Sequence, residues 1–170
     1  KELTIYLLPL EAENSQLFSA LMDSFVGFFK VLEDQEVKVK VIGKWYDLPG
    51  RVIDPIKAMI EKTQHNETVT VTLCLNYDGQ QEIVDAAQLL ARQVKANKLD
   101  PEAITKDALK GNLYSSSCLP VELVVRLGTL KMSSLLLWHL PQAKVFATKK
   151  SWQEFTGRDL RDAIAWWQQW

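Results

Sequence analysis

The sequence predicts an α/β fold with a mainly parallel central sheet flanked by helices. Apolar, β-prone runs alternate with amphipathic helical stretches along the whole chain of 170 residues, which is the pattern of repeated strand–helix units. The first run, "LTIYLLPL" at Leu3–Leu10, is almost continuously apolar, as expected for a parallel strand covered on both faces. A chain of this length suits one domain, which we expect to span residues 1–170.

A helix and then a second strand are predicted after this first run. The helix is indicated by a possible cap at Asn14 or Ser15 and by apolar residues at helical spacing: Leu17, Leu21, Phe25, Phe28, Phe29 and Leu32. The alternating segment "VKVKVIG", Val37–Gly43, predicts a strand that ends in a glycine turn. A further helix is predicted from about Pro49, and its inward side chains are Val52, Ile56, Met59 and Ile60.

The middle of the chain continues the alternation. Glu67–Tyr77 is rich in β-branched residues and predicts a third strand. The amphipathic stretch "GQQEIVDAAQLLARQVKAN" predicts a long helix, with an inward face formed by Ile83, Ala87, Leu90 and Val94. A short helix is predicted within Lys98–Leu113, where Asp100 is the cap and Pro101 fits the first turn.

The last third predicts two more strands and a terminal helix. "VELVVRL" and "AKVFATK" are the strands, and "SSLLLWHLPQ" between them is a short helix or a buried segment. Because His139 lies on that apolar segment, we expect it to be a core histidine. The last helix has Thr156 as its cap and Asp159 in its first turn.

Composition excludes several function classes. The chain carries 20 basic and 21 acidic residues, a net charge of −1, so it has no general electrostatic footprint for nucleic acid. The sequence contains no apolar run long enough to predict a membrane-spanning helix. Cys74 and Cys118 form no CxxC motif and have no histidine nearby, which favours two buried thiols in a reducing compartment over a zinc site.

The loop "LNYDGQQE" is the first of two that carry candidate ligand groups. It follows the third predicted strand, and ligands of parallel sheets bind beyond the carboxyl ends of strands. Gly79 permits a tight turn, and Asn76 with the amides of the helix start is suited to hold an anion or a carbonyl. The alternative is a strand-to-helix connection without a ligand.

The loop "RLGTLKMSS" is the second. Arg126 closes the fourth predicted strand, Gly128 lets backbone amides approach a ligand, and Lys131 and Ser133 add further donors. An arginine fork with a lysine and a hydroxyl is suited to phosphate. The alternative is that Arg126 pairs with Glu122 or with a helix C-terminus.

Several segments resemble the cis-prenyltransferases, the family of undecaprenyl and dehydrodolichyl diphosphate synthases. "LNYDGQQEIVDAA" is close to the family's "LNYGGRxEIVDAA", and "LLLWHLPQAKVF" is close to its "FLLWQxAYAELYF". The segments "LTIYLL", "VKVKVIGKWYDLP", "LYSSSCLPVELVVRLG" and "DLRDAIAWWQ" occur in the family's order. The resemblance covers nearly the whole chain.

The resemblance implies a protein that handles isoprenoid diphosphates. The family condenses isopentenyl diphosphate with an allylic diphosphate and uses Mg²⁺, a hydrophobic tunnel and a dimer. In this chain Arg126 matches the arginine that binds isopentenyl diphosphate, and Lys131 and Ser133 are the nearest matches to the basic residue and serine that follow it. The tunnel corresponds to the first helix, with Leu21, Phe25, Phe28 and Phe29 as its lining.

The chain also departs from the family pattern. The family's acidic, Mg²⁺-linked residue of "AELYF" is Lys144, "ENWxRP" has become "EAENSQ", and "RTGGE" has become "RLGT". The family's catalytic loop lies upstream of the strand with which this chain opens, and its carboxy-terminal "RxG" tail is not present. We therefore expect that an N-terminal segment is missing, that no residue here acts catalytically or binds metal, and that Mg²⁺ is doubtful for this chain alone.

Three hypotheses remain for function. The first is a degenerate accessory subunit, of the type of the Nogo-B receptor, which supports a catalytic partner in a heterodimer. The second is a truncated active synthase, and the third is a prenyl diphosphate binding protein. All three predict isoprenoid diphosphate ligands, and the first two a homo- or heterodimer. We expect a cytoplasmic protein or one at the cytoplasmic face of a membrane, with peripheral membrane contact possible.

Overall fold

The chain divides into two compact units, Lys1–Cys118 and Leu119–Trp170. The computed structural model describes residues 1–10, 24, 27–28, 31–32, 35–129, 131 and 133–169. The elements of the first unit are β1 (Glu2–Tyr6), β2 (Lys38–Ile42), α1 (Gly50–Thr63), β3 (Thr70–Cys74), α2 (Gly79–Lys95) and α3 (Lys106–Gly111). Those of the second unit are β4 (Leu123–Leu127), β5 (Lys144–Thr148) and α4 (Gly157–Trp167).

Each unit contains a parallel sheet. In the first unit the strand order is β1-β3-β2, so β3 is central, and Val71 lies opposite Leu3 and Val39. In the second unit β4 pairs with β5, and Val125 lies opposite Phe146. Every strand pair between these named strands is parallel, which confirms the predicted α/β class with helices against a parallel sheet.

The core of the first unit lies between its sheet and α1. Thr63 links α1 to the sheet, because its hydroxyl donates to the Met59 carbonyl at 2.8 Å and accepts from the Val39 amide at 3.1 Å. The predicted inward face of α1 is confirmed. Three of its members are buried in the core cluster, and the fourth, Ile60, packs against it. The cluster consists of Leu8, Leu32, Val39, Val52, Ile56, Met59, Val71, Leu73 and Leu75.

The predicted inward face of α2 is confirmed at Leu90 and wrong at Ala87. The buried side of this helix carries Glu82, Ala86 and Leu90, whereas Ala87 is exposed. The predicted face assumed that only apolar residues point inward. Here a carboxylate occupies an inward position because it has buried hydrogen-bond donors, which compensate for its loss of water.

The first strand is also less covered than predicted. Leu3 of β1 is 47% exposed, although β3 beside it is buried over most of its length. Within the first unit, therefore, β1 is not enclosed on both faces as its apolar sequence indicated.

The predicted caps at Asp100 and Thr156 and the core histidine are confirmed, whereas the predicted cap at Asn14 or Ser15 lies outside the described residues. The side chain of Asp100 accepts the Glu102 amide at 3.0 Å, and Thr156 and Asp159 form a reciprocal capping box at the start of α4. His139 is buried on a 3₁₀ segment, Leu137–Gln142. Among the described residues, no helix has both the length and the apolar character needed to cross a bilayer.

Candidate functional site

The Asn76–Gly79 turn lies at the carboxyl end of β3, as predicted. Asn76 has a positive φ of 48°, and its side-chain amide donates to the Lys44 carbonyl at 3.0 Å. The Lys44 amide donates in return to the Asn76 carbonyl at 3.0 Å. The side-chain amide nitrogen of Asn76, which the sequence predicted as a ligand donor, therefore already donates a hydrogen bond to the loop that follows β2.

The start of α2 is capped by its own sequence. Asp78 accepts the amides of Gln80 and Gln81 with one carboxylate oxygen, each at 2.9 Å. Two of the backbone amides that were predicted to bind an anion are therefore already hydrogen-bonded to Asp78. This turn has the geometry of a complete strand-to-helix connection, and its role towards a ligand stays a prediction.

A buried carboxylate network, which the sequence did not predict, adjoins this turn. Glu82 is 1% exposed and accepts the Tyr77 hydroxyl at 2.6 Å and the Ser115 amide at 2.7 Å. The Tyr77 carbonyl accepts the hydroxyl of Tyr6 at 3.1 Å. The network therefore joins β1, the β3 turn, α2 and the segment after α3. The sequence feature that could have indicated this network is Glu82, a glutamate on the inward side of α2 that follows Tyr77 by five positions.

A second network, also not predicted, centres on Asp85. The carboxylate pairs with the Lys44 ammonium at 2.9 Å and accepts Gln81 Nε2 at 2.9 Å and the hydroxyl of Tyr114. Burial raises the pKa of Asp85, but the hydrogen bonds from Tyr114, Lys44 and Gln81 outweigh it and leave the pKa below its ordinary value. Burial, and then the bond to Asp85, raises the pKa of Tyr114. Asp85 is thus held ionised.

The Arg126 loop of the second unit carries three predicted site residues, of which Arg126 and Lys131 are in hydrogen-bond contact. Arg126 Nε and Nη2 donate to the Lys131 carbonyl at 3.1 and 2.6 Å, so neither predicted alternative partner, Glu122 or a helix terminus, is the acceptor in these bonds. Gly128 has a φ of 69°, and Ser133 Oγ accepts the Leu135 amide at 3.4 Å. An incoming anion must displace the Lys131 carbonyl from Arg126 or bind its remaining guanidinium N–H groups.

Among the described residues, Lys144 does not fit a Mg²⁺ site. Lys144 stands at the start of β5, and its amide donates to the Glu122 carbonyl at 2.9 Å. Mg²⁺ prefers carboxylate and other oxygen ligands, which an ammonium group cannot supply. Over the described ranges, no group of three His, Cys, Asp or Glu side chains is arranged to hold a metal ion.

The predicted tunnel is described at one position. Phe28 is helical and partly buried, and it packs against the core of the first unit. Leu21, Phe25 and Phe29 lie outside the described residues. Their tunnel role stays a prediction.

The comparisons with known proteins identify the family. The family model described as "Putative undecaprenyl diphosphate synthase" matches residues 1–170. An isoprenyl transferase of Prochlorococcus marinus is 32% identical over 95% of this chain and 64% of its own length. A ditrans,polycis-undecaprenyl-diphosphate synthase of Salmonella typhimurium, named as specific for (2E,6E)-farnesyl diphosphate, is 31% identical over 95% of this chain and 67% of its own length.

A solved structure supports the same assignment. Lavandulyl diphosphate synthase from Lavandula x intermedia, in complex with dimethylallyl diphosphate, superposes with a TM-score of 0.93 at 26% identity. The match covers 99% of this chain and 76% of that one. The chain therefore belongs to the cis-prenyltransferase family, as its motifs indicated. It spans about 65% of the length of an isoprenyl transferase of Heliobacterium mobile that it also matches.

Proposed function

We propose that this chain is an isoprenoid diphosphate binding subunit of polyprenyl diphosphate synthesis, of the undecaprenyl or dolichyl type, which supports a catalytic partner of its own family. The feature that supports the proposal is Lys144, which the resemblance of "LLLWHLPQAKVF" to the family's "FLLWQxAYAELYF" matches to the family's acidic residue. A cation there repels Mg²⁺ instead of binding it. The Mg²⁺ of the reaction is then held by the partner, and no catalytic residue is assigned to this chain.

The diphosphate is proposed to bind at the Arg126 loop. Arg126, Lys131 and Ser133 supply a guanidinium, an ammonium and a hydroxyl within one short segment. Such a set is suited to an isopentenyl diphosphate headgroup. The prenyl chain is proposed to follow the tunnel lined by Leu21, Phe25, Phe28 and Phe29. The bound dimethylallyl diphosphate of lavandulyl diphosphate synthase supports a ligand of this class.

The partner is proposed to dock on the second unit. Val145 of β5 and Leu160 and Ile164 of α4 are 40%, 36% and 39% exposed, although all three are large apolar side chains. Apolar residues grouped on a small unit favour an interface with another protein. We propose a cis-prenyltransferase subunit as the occupant, in a homo- or heterodimer. The assembly would act in the cytoplasm or at the cytoplasmic face of a membrane.

An active synthase is the second candidate. The observation that favours it is the set of relatives at 31–32% identity, which are named as transferases or synthases. In that case the Arg126 loop would bind isopentenyl diphosphate for condensation with an allylic diphosphate within the same polypeptide.

One assay separates these candidates. The full natural gene product is incubated with radiolabelled isopentenyl diphosphate, farnesyl diphosphate and Mg²⁺, alone and with a catalytic homologue from the same organism. Product from the chain alone overturns the accessory role. No product alone, together with stimulation of the homologue, supports it. No product in either case, but binding of a prenyl diphosphate by calorimetry, identifies a binding protein instead.

A surface variant tests the docking proposal. Ile164→Asp places a charge on the proposed interface and is expected to abolish stimulation of the homologue. The matched control is Ala165→Asp, at the neighbouring exposed position of α4. Equal stimulation by both variants would place the interface elsewhere.

A further inference from the structure

The loop that follows β5 lies against the Arg126 loop. The last paired residues of the two strands are Leu127 and Thr148. Beyond them, the Gly128 amide donates to the Thr148 carbonyl at 3.0 Å. Gly128 has a φ of 69°, and a Cβ at this position would lie 4.0 Å from the main chain of residues 150–151. The two loops therefore meet at the carboxyl edge of the β4–β5 sheet.

Strand alternation puts Lys149 on the same face of this sheet as Arg126. Arg126 lies opposite Ala147, and residues that lie opposite each other in a sheet share a face. Lys149 comes immediately after β5 and two positions after Ala147, so it is the next side chain on that face, roughly 7 Å further along the strand direction. Two long cationic side chains at this offset can close on one ligand.

The neighbouring lysine, Lys150, belongs to the opposite face. It continues the alternation of Phe146, whose ring contacts Trp166 of α4 with the centroids 5.6 Å apart. The Lys150 ammonium lies 2.5 Å from the Asp159 carboxylate of the same helix. Helix α4 thus packs on the face of Lys150, and the charge of Lys150 is already paired.

The two loops together carry an excess of positive charge. Residues 126–133 and 149–156 contain four basic side chains and one carboxylate, that of Glu154. Glu154 accepts the amide and the hydroxyl of Ser151 at 2.8 and 2.7 Å, so it is occupied within its own loop. Within the described ranges, no ion pair or side-chain hydrogen bond engages the exposed Lys149 ammonium. Such an excess of one sign attracts a ligand of the opposite sign.

We propose that Lys149 is a further diphosphate-binding residue, which holds one phosphate group of isopentenyl diphosphate while Arg126 holds the other. This inference rests on the proposed function and adds one residue to its site. A guanidinium and an ammonium on one face of the sheet divide the ligand's charge between two cations. A monophosphate engages Arg126 alone, so Lys149 is the residue that distinguishes a diphosphate from a monophosphate.

The test compares two ligands and two adjacent lysines. Isopentenyl diphosphate and isopentenyl monophosphate are each titrated by calorimetry into the full natural gene product and into Lys149→Met, Lys149→Arg and Arg126→Ala. The matched control is Lys150→Met, which removes the same charge from the next exposed position, on the other face of the sheet. Melting temperatures are measured for every variant.

We expect Lys149→Met to weaken diphosphate binding about tenfold, as for the loss of one charge-assisted contact. Monophosphate binding by this variant should change by no more than about twofold, and Lys149→Arg should recover most of the diphosphate affinity. Lys150→Met should bind both ligands within about twofold of the unmodified protein, because it loses only an exposed ion pair. The melting temperature of Lys149→Met should be unchanged, because the side chain is exposed.

The remaining outcomes would overturn the inference. Equal losses in Lys149→Met and Lys150→Met would mean that total charge matters and not the face of the sheet. An equal loss of both ligands in Lys149→Met would contradict the division of the two phosphates. Full diphosphate binding by Lys149→Met, with a loss in Arg126→Ala, removes Lys149 and leaves the proposed function standing. If the unmodified protein binds no isopentenyl diphosphate, alone or with its partner, both the proposed function and the role of Lys149 fail.

Discussion

The carboxyl ends of the strands differ sharply between the two units. Around β2 and β3, Glu82, Asp85 and Lys44 bond to partners within the protein, and Glu82 is almost fully withdrawn from water. Beyond β4, Arg126 bonds to a main-chain carbonyl of its own exposed loop. Buried polar groups are costly to leave unpaired, whereas exposed ones exchange partners with water or ligand at little cost. The first region is thus fixed architecture, and we propose that the second exchanges its hydrogen bonds for those of an anion.

The largest effect is expected from Gly43→Ala in the fixed region. A Cβ at this position would lie 2.3 Å from the Leu75 carbonyl oxygen and 2.9 Å from the Tyr77 Cβ, and φ is 103°. Backbone strain and overpacking together should lower the free energy of unfolding by about 4 kcal/mol, measured by urea denaturation. Gly50→Ala is the control, because a Cβ there meets nothing within 4 Å. Equal losses in both variants would show that the β2 turn is not fixed.

Glu82→Ala should have the next largest effect. It leaves the Tyr77 hydroxyl and the Ser115 amide without their buried acceptor, and both of those residues are fully buried. The free energy of unfolding should fall by about 3 kcal/mol, because two buried donors lose their partner. Glu61→Ala, at an exposed position of α1, should change it by no more than about 0.5 kcal/mol. A small effect at Glu82 would indicate that water replaces the carboxylate.

Arg126→Ala tests the exchangeable region. Removal of its hydrogen bonds to the loop should barely change the free energy of unfolding, because the residue is not buried. Isopentenyl diphosphate binding, measured by calorimetry, should weaken by about 1.5–3 kcal/mol, as is typical of a charge-assisted contact. Arg158→Ala, at an exposed position of α4, is the control for lost positive charge. Unchanged binding in Arg126→Ala would remove this loop from the site.

The smallest effect is the pH dependence of Asp85. Its folded pKa is lowered, so the stability it contributes is present above the unfolded pKa of about 4 and is lost as pH falls through the folded value. Asp85→Asn should therefore be less stable than the unmodified protein at pH 7, by up to about 1 kcal/mol, and the gap should close below about pH 4. Thermal unfolding across this range measures the gap, with the exposed Asp54→Asn as control. A gap that persists in acid would contradict an ionised Asp85.

The sequence predicted the features that depend on local pattern. The strands lie where the β-prone runs indicated, and the caps at Asp100 and Thr156 are the predicted ones, because a cap needs a side chain and an amide only two or three residues away. The apolar stripe of α1 also follows from spacing alone. The family followed from motifs whose residues and order are specific.

The rest depends on contacts between residues distant along the chain. The inward face of α2 was misjudged because Glu82 is stabilised by Ser115, which lies 33 positions away. Lys44 resembles an ordinary surface lysine until Asp85 is placed beside it. The acceptor of Arg126 could not be predicted, because it is a main-chain carbonyl whose position depends on the loop conformation and not on residue type.

The two thiols have a practical consequence for labelling. Cys74 and Cys118 are the chain's two cysteines, and both are buried and free. Burial raises the pKa of each thiol, that of Cys118 to about 12, so the nucleophilic thiolate is scarce at neutral pH. The two native thiols of the folded protein are therefore expected to react only slowly with maleimides. One cysteine introduced on the surface would take a fluorophore selectively, and the onset of labelling at the two native thiols would time the opening of the first unit.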